Sequence, residues 1–220
     1  MKAVTHPLYS CEEFVKQITG VLLENQCSVL QLFQVPGGEQ KHSEWLLEMA
    51  DPGHKARRVL SLGCGVAAME GFWKAARPEL IFELVNISQA QLDLALCEGR
   101  KVRADAEDYR SDQAHFDIVV LAYVLGHVDV AKTLESALVN LARMGKLLIY
   151  DVFEGSRRFD KELHYDSPSF GEIEEFMAKH DLRMRAAMQG GIPLGAFAAA
   201  WAPWITDEVT PGLFVLERRQ

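Results

Sequence analysis

The chain has 220 residues, 49% apolar and 25% charged, which is enough to bury a substantial core and argues against wholesale disorder. Its 31 acidic and 23 basic side chains leave a net charge of −8, so nucleic acid is a disfavoured partner and non-specific grip on an anionic membrane is not expected. Four cysteines (Cys11, Cys27, Cys64, Cys97) stand without a CxxC pair or paired histidines nearby; no metal site is expected, and free thiols in a cytoplasmic protein are.

The first residues, Met1 to Pro7, lack the apolar core of a signal peptide. Ser10 suits a helix N-cap, with Glu12 and Glu13 in the first turn, and Phe14, Ile18, Leu22 and Leu23 recur at helical spacing. Gly37-Gly38 marks a break, and Ser43 to Met49 reads as a second short helix closed by Asp51-Pro52-Gly53. Residues 1–54 are therefore expected to form a helical lid or extension, too small for a core of its own, ahead of one α/β domain over 55–220.

From Arg58 the pattern alternates. Val59–Leu62 reads as a strand, Ala67–Ala76 as a helix, Leu80–Ile87 as a strand and Gln89–Cys97 as a helix. Gly99–Ala104 reads as a short strand, and Phe116–Tyr123, nearly all apolar, as a strand buried on both faces. Lys132–Ala142 is amphipathic and Lys146–Val152 is a fifth strand. This rhythm predicts a doubly wound, mostly parallel sheet with helices on both faces. Phe170–His180 then reads as helix, with Arg183–Gln189 and Gly212–Arg218 as the last strands. The apolar window Gly190 to Trp204 is broken by Pro193 and Pro203 and is too short to span a bilayer.

In such a sheet the ligand lies across the carboxyl ends of the strands. There the sequence places Gly63-Cys64-Gly65, then Asn86-Ile87-Ser88, then Asp105-Ala106-Glu107-Asp108, then Tyr123 with Gly126-His127. Glycines at the first turn allow the backbone to approach a ligand closely.

In order and spacing these pieces resemble the class I S-adenosylmethionine-dependent methyltransferases over roughly residues 55–155. The resemblance rests on Val59-Leu60-Ser61-Leu62-Gly63-Cys64-Gly65, Asn86-Ile87-Ser88-Gln89-Ala90-Gln91, Ala104-Asp105-Ala106-Glu107-Asp108, Phe116-Asp117-Ile118-Val119-Val120 and Val124-Leu125-Gly126-His127-Val128. A nicotinamide-binding domain would tolerate Ala68 at its third glycine position, but gives no role to Asp105 or to Gly126-His127.

The resemblance implies S-adenosyl-L-methionine as cofactor and a Rossmann-like fold. It implies that Gly63, Cys64 and Gly65 cradle the methionine part and that Asn86 meets the ribose. Asp105 and the Ala106 N–H would meet the adenine edge, Ile87 and Gln91 its faces, and Leu121 and Ala122 would lie beneath the sulfonium. It also exposes departures: Ser61 and Asn86 stand where carboxylates are usual, Ala67 where a third glycine is common, and Met144-Gly145-Lys146 replaces a Pro-Gly turn. An amide offers the ribose one acceptor where a carboxylate accepts from both hydroxyls.

Methyl transfer from a sulfonium is an in-line displacement that demands alignment, with a base needed only if the acceptor must lose a proton. His127 is the first candidate base and Tyr123 a wall of the acceptor site. Asp151 and Glu154 follow the fifth strand, and His164 and Tyr165 lie in a loop able to cover the pocket. Phe197, Trp201 and Trp204 share a helical face that suits an apolar substrate floor, a homodimer contact or plain core, and Arg157 and Arg158 could meet an acidic group. Two functions stay open: methyl transfer to a small-molecule acceptor, and a non-catalytic cofactor-binding or interaction protein on the same fold.

Overall fold

The computed structural model describes residues 32–33, 35–113, 115–154, 158–160, 165–189 and 210–219. The helix expected after Ser10, the Phe197, Trp201 and Trp204 face, Arg157 and His164 lie outside the described residues.

Seven strands form one sheet: β1 (Arg58–Leu62), β2 (Ile81–Asn86), β3 (Arg100–Arg103), β4 (Phe116–Ala122), β5 (Leu141–Phe153), β8 (Leu182–Gln189) and β9 (Thr210–Arg218). Their spatial order is β3-β2-β1-β4-β5-β9-β8. The first five run parallel, and β9 pairs antiparallel with both β5 and β8. The strand order reverses between β1 and β4, and this switch point opens the crevice in which open α/β sheets bind ligands. Strands β6 (Arg158–Asp160) and β7 (Tyr165–Ser167), which carry Arg158 and Tyr165, form a separate two-stranded ribbon that the sequence reading missed.

The helices are α1 (Gly38–Ala50), α2 (Ala68–Ala76), α3 (Gln89–Asp93), α4 (Val130–Asn140) and α5 (Phe170–Lys179). The sheet is dry on both faces because β4 is apolar in both registers. Val119 and Leu121 join the layer under α4 and α5 with Leu60, Leu62, Leu134 and Phe176. Ile118 and Val120 join the opposite layer with Val59, Leu46, Trp73 and Tyr150. Successive side chains of a strand point to opposite faces, so a continuous apolar run fills two layers at once.

The described part of the N-terminal extension is built into that second layer. Trp73, fully buried on α2, donates its indole N–H to the Ser43 carbonyl of α1 at 2.6 Å. Tyr150 of β5 takes a hydrogen bond from the Leu32 N–H at 2.5 Å.

Several boundaries differ from expectation, among them five whose reason is visible in the structure. The helix after β1 starts at Ala68 because Ala67 is left-handed (φ 51). The helix after β2 ends at Asp93, since the Leu96 N–H is drawn to the Val66 carbonyl at 2.8 Å, away from a helical path. The strand β4 ends at Ala122 because Tyr123 is left-handed (φ 55). The helix α4 starts at Val130, capped by Asp129 accepting from Lys132 N, and β5 follows it at Leu141 without a turn. A register shift between Phe116 and Ile118 absorbs the extra residues. Gly145 is required there, since a Cβ would lie 2.7 Å from Leu141 Cδ1 and 2.9 Å from the Phe116 carbonyl oxygen.

Candidate active site

The turn after β1 alternates left-handed residues: Gly63 (φ 73), Gly65 (φ 56) and Ala67 (φ 51). The N–H groups of Gly63 and Cys64 both donate to the Val85 carbonyl of β2, at 2.8 and 3.1 Å, which pins the turn to the sheet edge. The two glycines are needed for different reasons. A Cβ on Gly63 would sit 2.4 Å from Val124 Cγ2, so this glycine admits the loop after β4. A Cβ on Gly65 would meet nothing within 4 Å, so that residue faces open space at the switch point. Ala67 shows that the third position keeps the glycine-like backbone even with a side chain, at a cost of about 1–2 kcal/mol.

Across the crevice Asn86 ends β2. Its Nδ2 donates to the Gly65 carbonyl (3.3 Å) and to Gln91 Oε1 (2.7 Å), and its Oδ1 accepts from Ser88 N (3.2 Å). Both amide protons are therefore spent within the protein, and one Oδ1 lone pair remains for a ligand hydroxyl. Ser88 caps α3 by accepting from Gln91 N at 3.3 Å, which fixes Ile87 and Gln91, both half-buried, beside Asn86. After β3, Asp105 Oδ1 accepts from Glu107 N at 3.0 Å, closing a turn that buries Ala106. The candidates Gly63, Cys64, Gly65, Asn86, Ile87, Gln91, Asp105 and Ala106 thus lie along one carboxyl edge. Leu121 differs: its side chain is fully buried in the layer under α4, so toward the crevice it offers backbone.

Ser61 stands on β1 where a carboxylate was expected, and the structure supplies one from the next helix. Ser61 Oγ donates to Glu70 Oε1 at 2.6 Å, with Glu70 of α2 buried. Burial raises the Glu70 carboxyl above its usual range, opposed by the Ser61 hydroxyl. Cys64 donates weakly to the Gly65 carbonyl (3.6 Å), and burial together with the charge of Glu70 pushes its thiol well up. A thiol held protonated is a lining group and a poor nucleophile.

The loop after β4 is organised by Asp151 of β5, fully buried, whose Oδ2 accepts from Leu125 N at 2.9 Å and Oδ1 from its own neighbour Val152 N at 2.9 Å. This holds a short 3-10 turn, Leu125–His127, that leaves His127 half-buried. Asp151 is thus a positioning group for the loop. Glu154 accepts from Ser167 Oγ of β7 at 3.2 Å and ties the ribbon down.

Tyr123 enters this site differently from His127. Its N–H donates to the Tyr150 carbonyl (2.9 Å), and its ring stands edge-on to the Tyr150 ring, 5.4 Å between centroids. A left-handed backbone at a bulky residue costs of order 1–3 kcal/mol and concentrates at functional sites. Its hydroxyl is hydrogen-bonded to the Tyr150 hydroxyl, and burial, with that bond, pushes the Tyr123 phenol well up. Tyr150 Oη lies 2.8 Å from His42 Nε2 on α1. His42 is fully buried, and desolvation lowers its pKa to about 4.

Sequence reasoning missed His42, Tyr150 and Glu70. Each sits among apolar positions: His42 one turn before Leu46 on α1, Glu70 beside Met69 and Trp73 on α2, Tyr150 in the middle of β5. A polar residue on an apolar stripe was the available signal. Among the described residues no three His, Cys, Asp or Glu side chains cluster as a metal site, and no helix is long and apolar enough to cross a membrane.

A doubly wound sheet with a glycine turn, a polar strand end at Asn86 and an acidic turn at Asp105 along one carboxyl edge is the architecture of α/β proteins that bind ligands at a switch point. Comparison narrows the class. Residues 60–149 match the sequence profile described as a methyltransferase domain. No curated protein matches the chain significantly. Among solved structures, it resembles the [4+2]-cyclase SpnF at 12% identity over 93% of this chain and 92% of that one, with a TM-score of 0.72. It resembles an O-methyltransferase from a trans-AT polyketide synthase of Brevibacillus brevis, solved with S-adenosyl-L-homocysteine, at 15% identity over 95% and 80%, TM-score 0.65. Geranyl diphosphate C-methyltransferase from Streptomyces coelicolor A3(2) is similar at 14% identity over 81% and 75%, TM-score 0.66. The fold is thus the Rossmann-like fold of the S-adenosylmethionine-dependent methyltransferases.

Proposed function

We propose that the protein is an S-adenosylmethionine-dependent methyltransferase acting on a small-molecule acceptor. The observation that carries this is the open face of Gly65, on one edge with the Asn86 amide beside it and the turn at Asp105 beyond, within the matched methyltransferase domain. The residues present fit the cofactor. Gly63, Cys64 and Gly65 would flank its methionine part, Asn86 its ribose, and Asp105, Ala106, Ile87 and Gln91 its adenine. When bound, the cofactor supplies a methyl group on a sulfonium. The protein's task is to align the acceptor with that carbon and exclude water. We further read α1 and the preceding residues as part of the acceptor wall and the free thiols Cys64 and Cys97 as fitting a reducing, cytoplasmic setting.

His127 would face the acceptor from the loop that Asp151 holds, and Tyr123 from the end of β4. Release of S-adenosyl-L-homocysteine from S-adenosyl-L-methionine in the presence of hydroxyl and amine acceptors tests the activity; binding without release on any acceptor contradicts it. One observation favours a second reading, a cofactor-binding protein that does not methylate. The fold matches a protein described as a [4+2]-cyclase as well as methyltransferases, and Asn86 has a single acceptor lone pair to spare.

A further inference from the structure

The side chains of Tyr123, Tyr150 and His42 join the end of β4 to the inner face of α1. Counting protons ties the directions of the bonds in this chain to one another. A phenol oxygen has two lone pairs and one proton. Tyr150 Oη accepts from the Leu32 N–H at 2.5 Å and from the Tyr123 hydroxyl, with the Phe33 N–H a longer third donor at 3.3 Å. With the Tyr123 hydroxyl as donor its acceptor capacity is filled, and His42 Nε2 at 2.8 Å accepts the Tyr150 proton. The neutral ring therefore carries its own proton on Nδ1, a buried atom with no hydrogen-bond partner among the described residues. Every donor points one way, from Tyr123 through Tyr150 to His42.

Resting on the methyltransferase reading, we propose that this chain is a proton wire that drains the acceptor's proton into His42, and that the acceptor atom is a hydroxyl oxygen. Tyr123 is the member at the site, and its left-handed backbone is what turns its ring toward Tyr150. As the hydroxyl oxygen forms its bond to the methyl carbon, the carbon–sulfur bond breaks and its electron pair stays on sulfur. The hydroxyl proton passes to Tyr123 Oη, the Tyr123 proton to Tyr150 Oη, and the Tyr150 proton to His42 Nε2. The balance closes with a methyl ether, a neutral sulfide and an imidazolium.

The chemistry of the sink selects the acceptor. An alkylated hydroxyl is a far stronger acid than any imidazolium, so a buried histidine with pKa lowered to about 4 by desolvation still takes its proton. A methylated amine is a far weaker acid and would keep its proton, so the wire would do nothing for it. The charged and titratable groups that act on the two phenols are Glu39 on α1 and Asp151 on β5, with His42 facing Tyr150 from α1. Phe33 and Trp45 complete an aromatic surround, with centroids 6.2 Å from Tyr150 and 5.9 Å from His42 respectively.

The first test needs no acceptor. Nitrogen-15 spectra of the histidine rings at pH 7 should show His42 neutral, protonated at Nδ1, with Nε2 shifted by an accepted hydrogen bond that Tyr150→Phe removes. A ring protonated at Nε2, or a charged ring, overturns the wire. The second test uses matched phenols and benzylamines with the full chain, following S-adenosyl-L-homocysteine. Tyr150→Phe and His42→Gln, checked for wild-type-like circular dichroism, should cut kcat on phenols by about a hundredfold with KM little changed. Turnover of benzylamines alone, of no phenol despite cofactor binding, or an equal fall on both series overturns the hydroxyl assignment. Failure to bind S-adenosyl-L-homocysteine instead overturns the underlying reading, while the spectra still decide the wire.

Discussion

At the scale of single residues, the glycine turn separates packing from ligand approach. Gly63 and Gly65 share a left-handed backbone but differ in what a methyl group would strike. Gly63→Ala drives a Cβ into Val124 and should destabilise the protein by about 3 kcal/mol or more, with cofactor binding lost as the loop after β4 shifts. Gly65→Ala meets open space and should cost only about 1 kcal/mol of stability, yet weaken S-adenosyl-L-homocysteine binding at least about tenfold. Urea unfolding and calorimetry on the same two variants check the contrast. Equal losses of both properties in both variants would mean that the space at Gly65 is not the cofactor's. Ala67→Gly should do the reverse and stabilise the fold by about 1 kcal/mol, seen as a higher urea midpoint at an unchanged slope.

At the scale of elements, the strands and the turns on the sheet's carboxyl edge were legible in the sequence, and the packing of α1 against β5 was not. Phe116–Ala122 announced itself because an unbroken apolar run has no other home than a doubly covered strand. Gly63, Asn86 and Asp105 were legible because strand ends recur at a spacing the topology imposes. The start of β5 was not: its register shift beside Gly145 is a tertiary pairing with Phe116 and leaves no local sign. The pairing of Ser61 with Glu70 was hidden for a related reason, since two residues nine apart meet only once β1 and α2 are packed. His42 lies just before the helix expected over Ser43 to Met49, and nothing marked it until the longer helix Gly38–Ala50 brought it against Tyr150.

Docking of α1 through a buried neutral histidine has a consequence for stability. The unfolded chain takes up this proton near pH 6.5, the folded protein only near pH 4. The unfolded state therefore binds more protons between those values, so stability is full above about pH 6.5 and falls as pH drops toward 4. The loss is of order 3 kcal/mol across that window, levelling off below it. Denaturant midpoints from pH 7.5 to 4 should show this slope in the wild type and a flatter curve in His42→Gln. Parallel curves would show that His42 does not stay neutral when α1 is docked.

At the scale of the whole molecule, the sheet puts two dry layers on either side of one switch point and leaves the crevice between β1 and β4 for a ligand. Everything assigned to function stands on the carboxyl edge of that sheet: the open turn at Gly65, the Asn86 amide, the Asp105 turn, and Tyr123 leading back to α1. Of the departures noted in the sequence, Ala67 adopts the glycine-like backbone, and Ser61 is paired with the buried carboxyl of Glu70. Asn86 is not repaired, because both its amide protons hold the turn together. Asn86→Asp should therefore fail to strengthen cofactor binding, since a carboxylate would face the Gly65 carbonyl and Gln91 Oε1 without a proton to offer either; calorimetry that found tighter binding would refute that account. The most direct test of the central claim is calorimetric titration of the full chain with S-adenosyl-L-homocysteine. Binding at one site per chain, weakened at least about tenfold by Gly65→Ala, is the predicted result. No heat of binding at millimolar ligand, from protein shown to be folded, would contradict it.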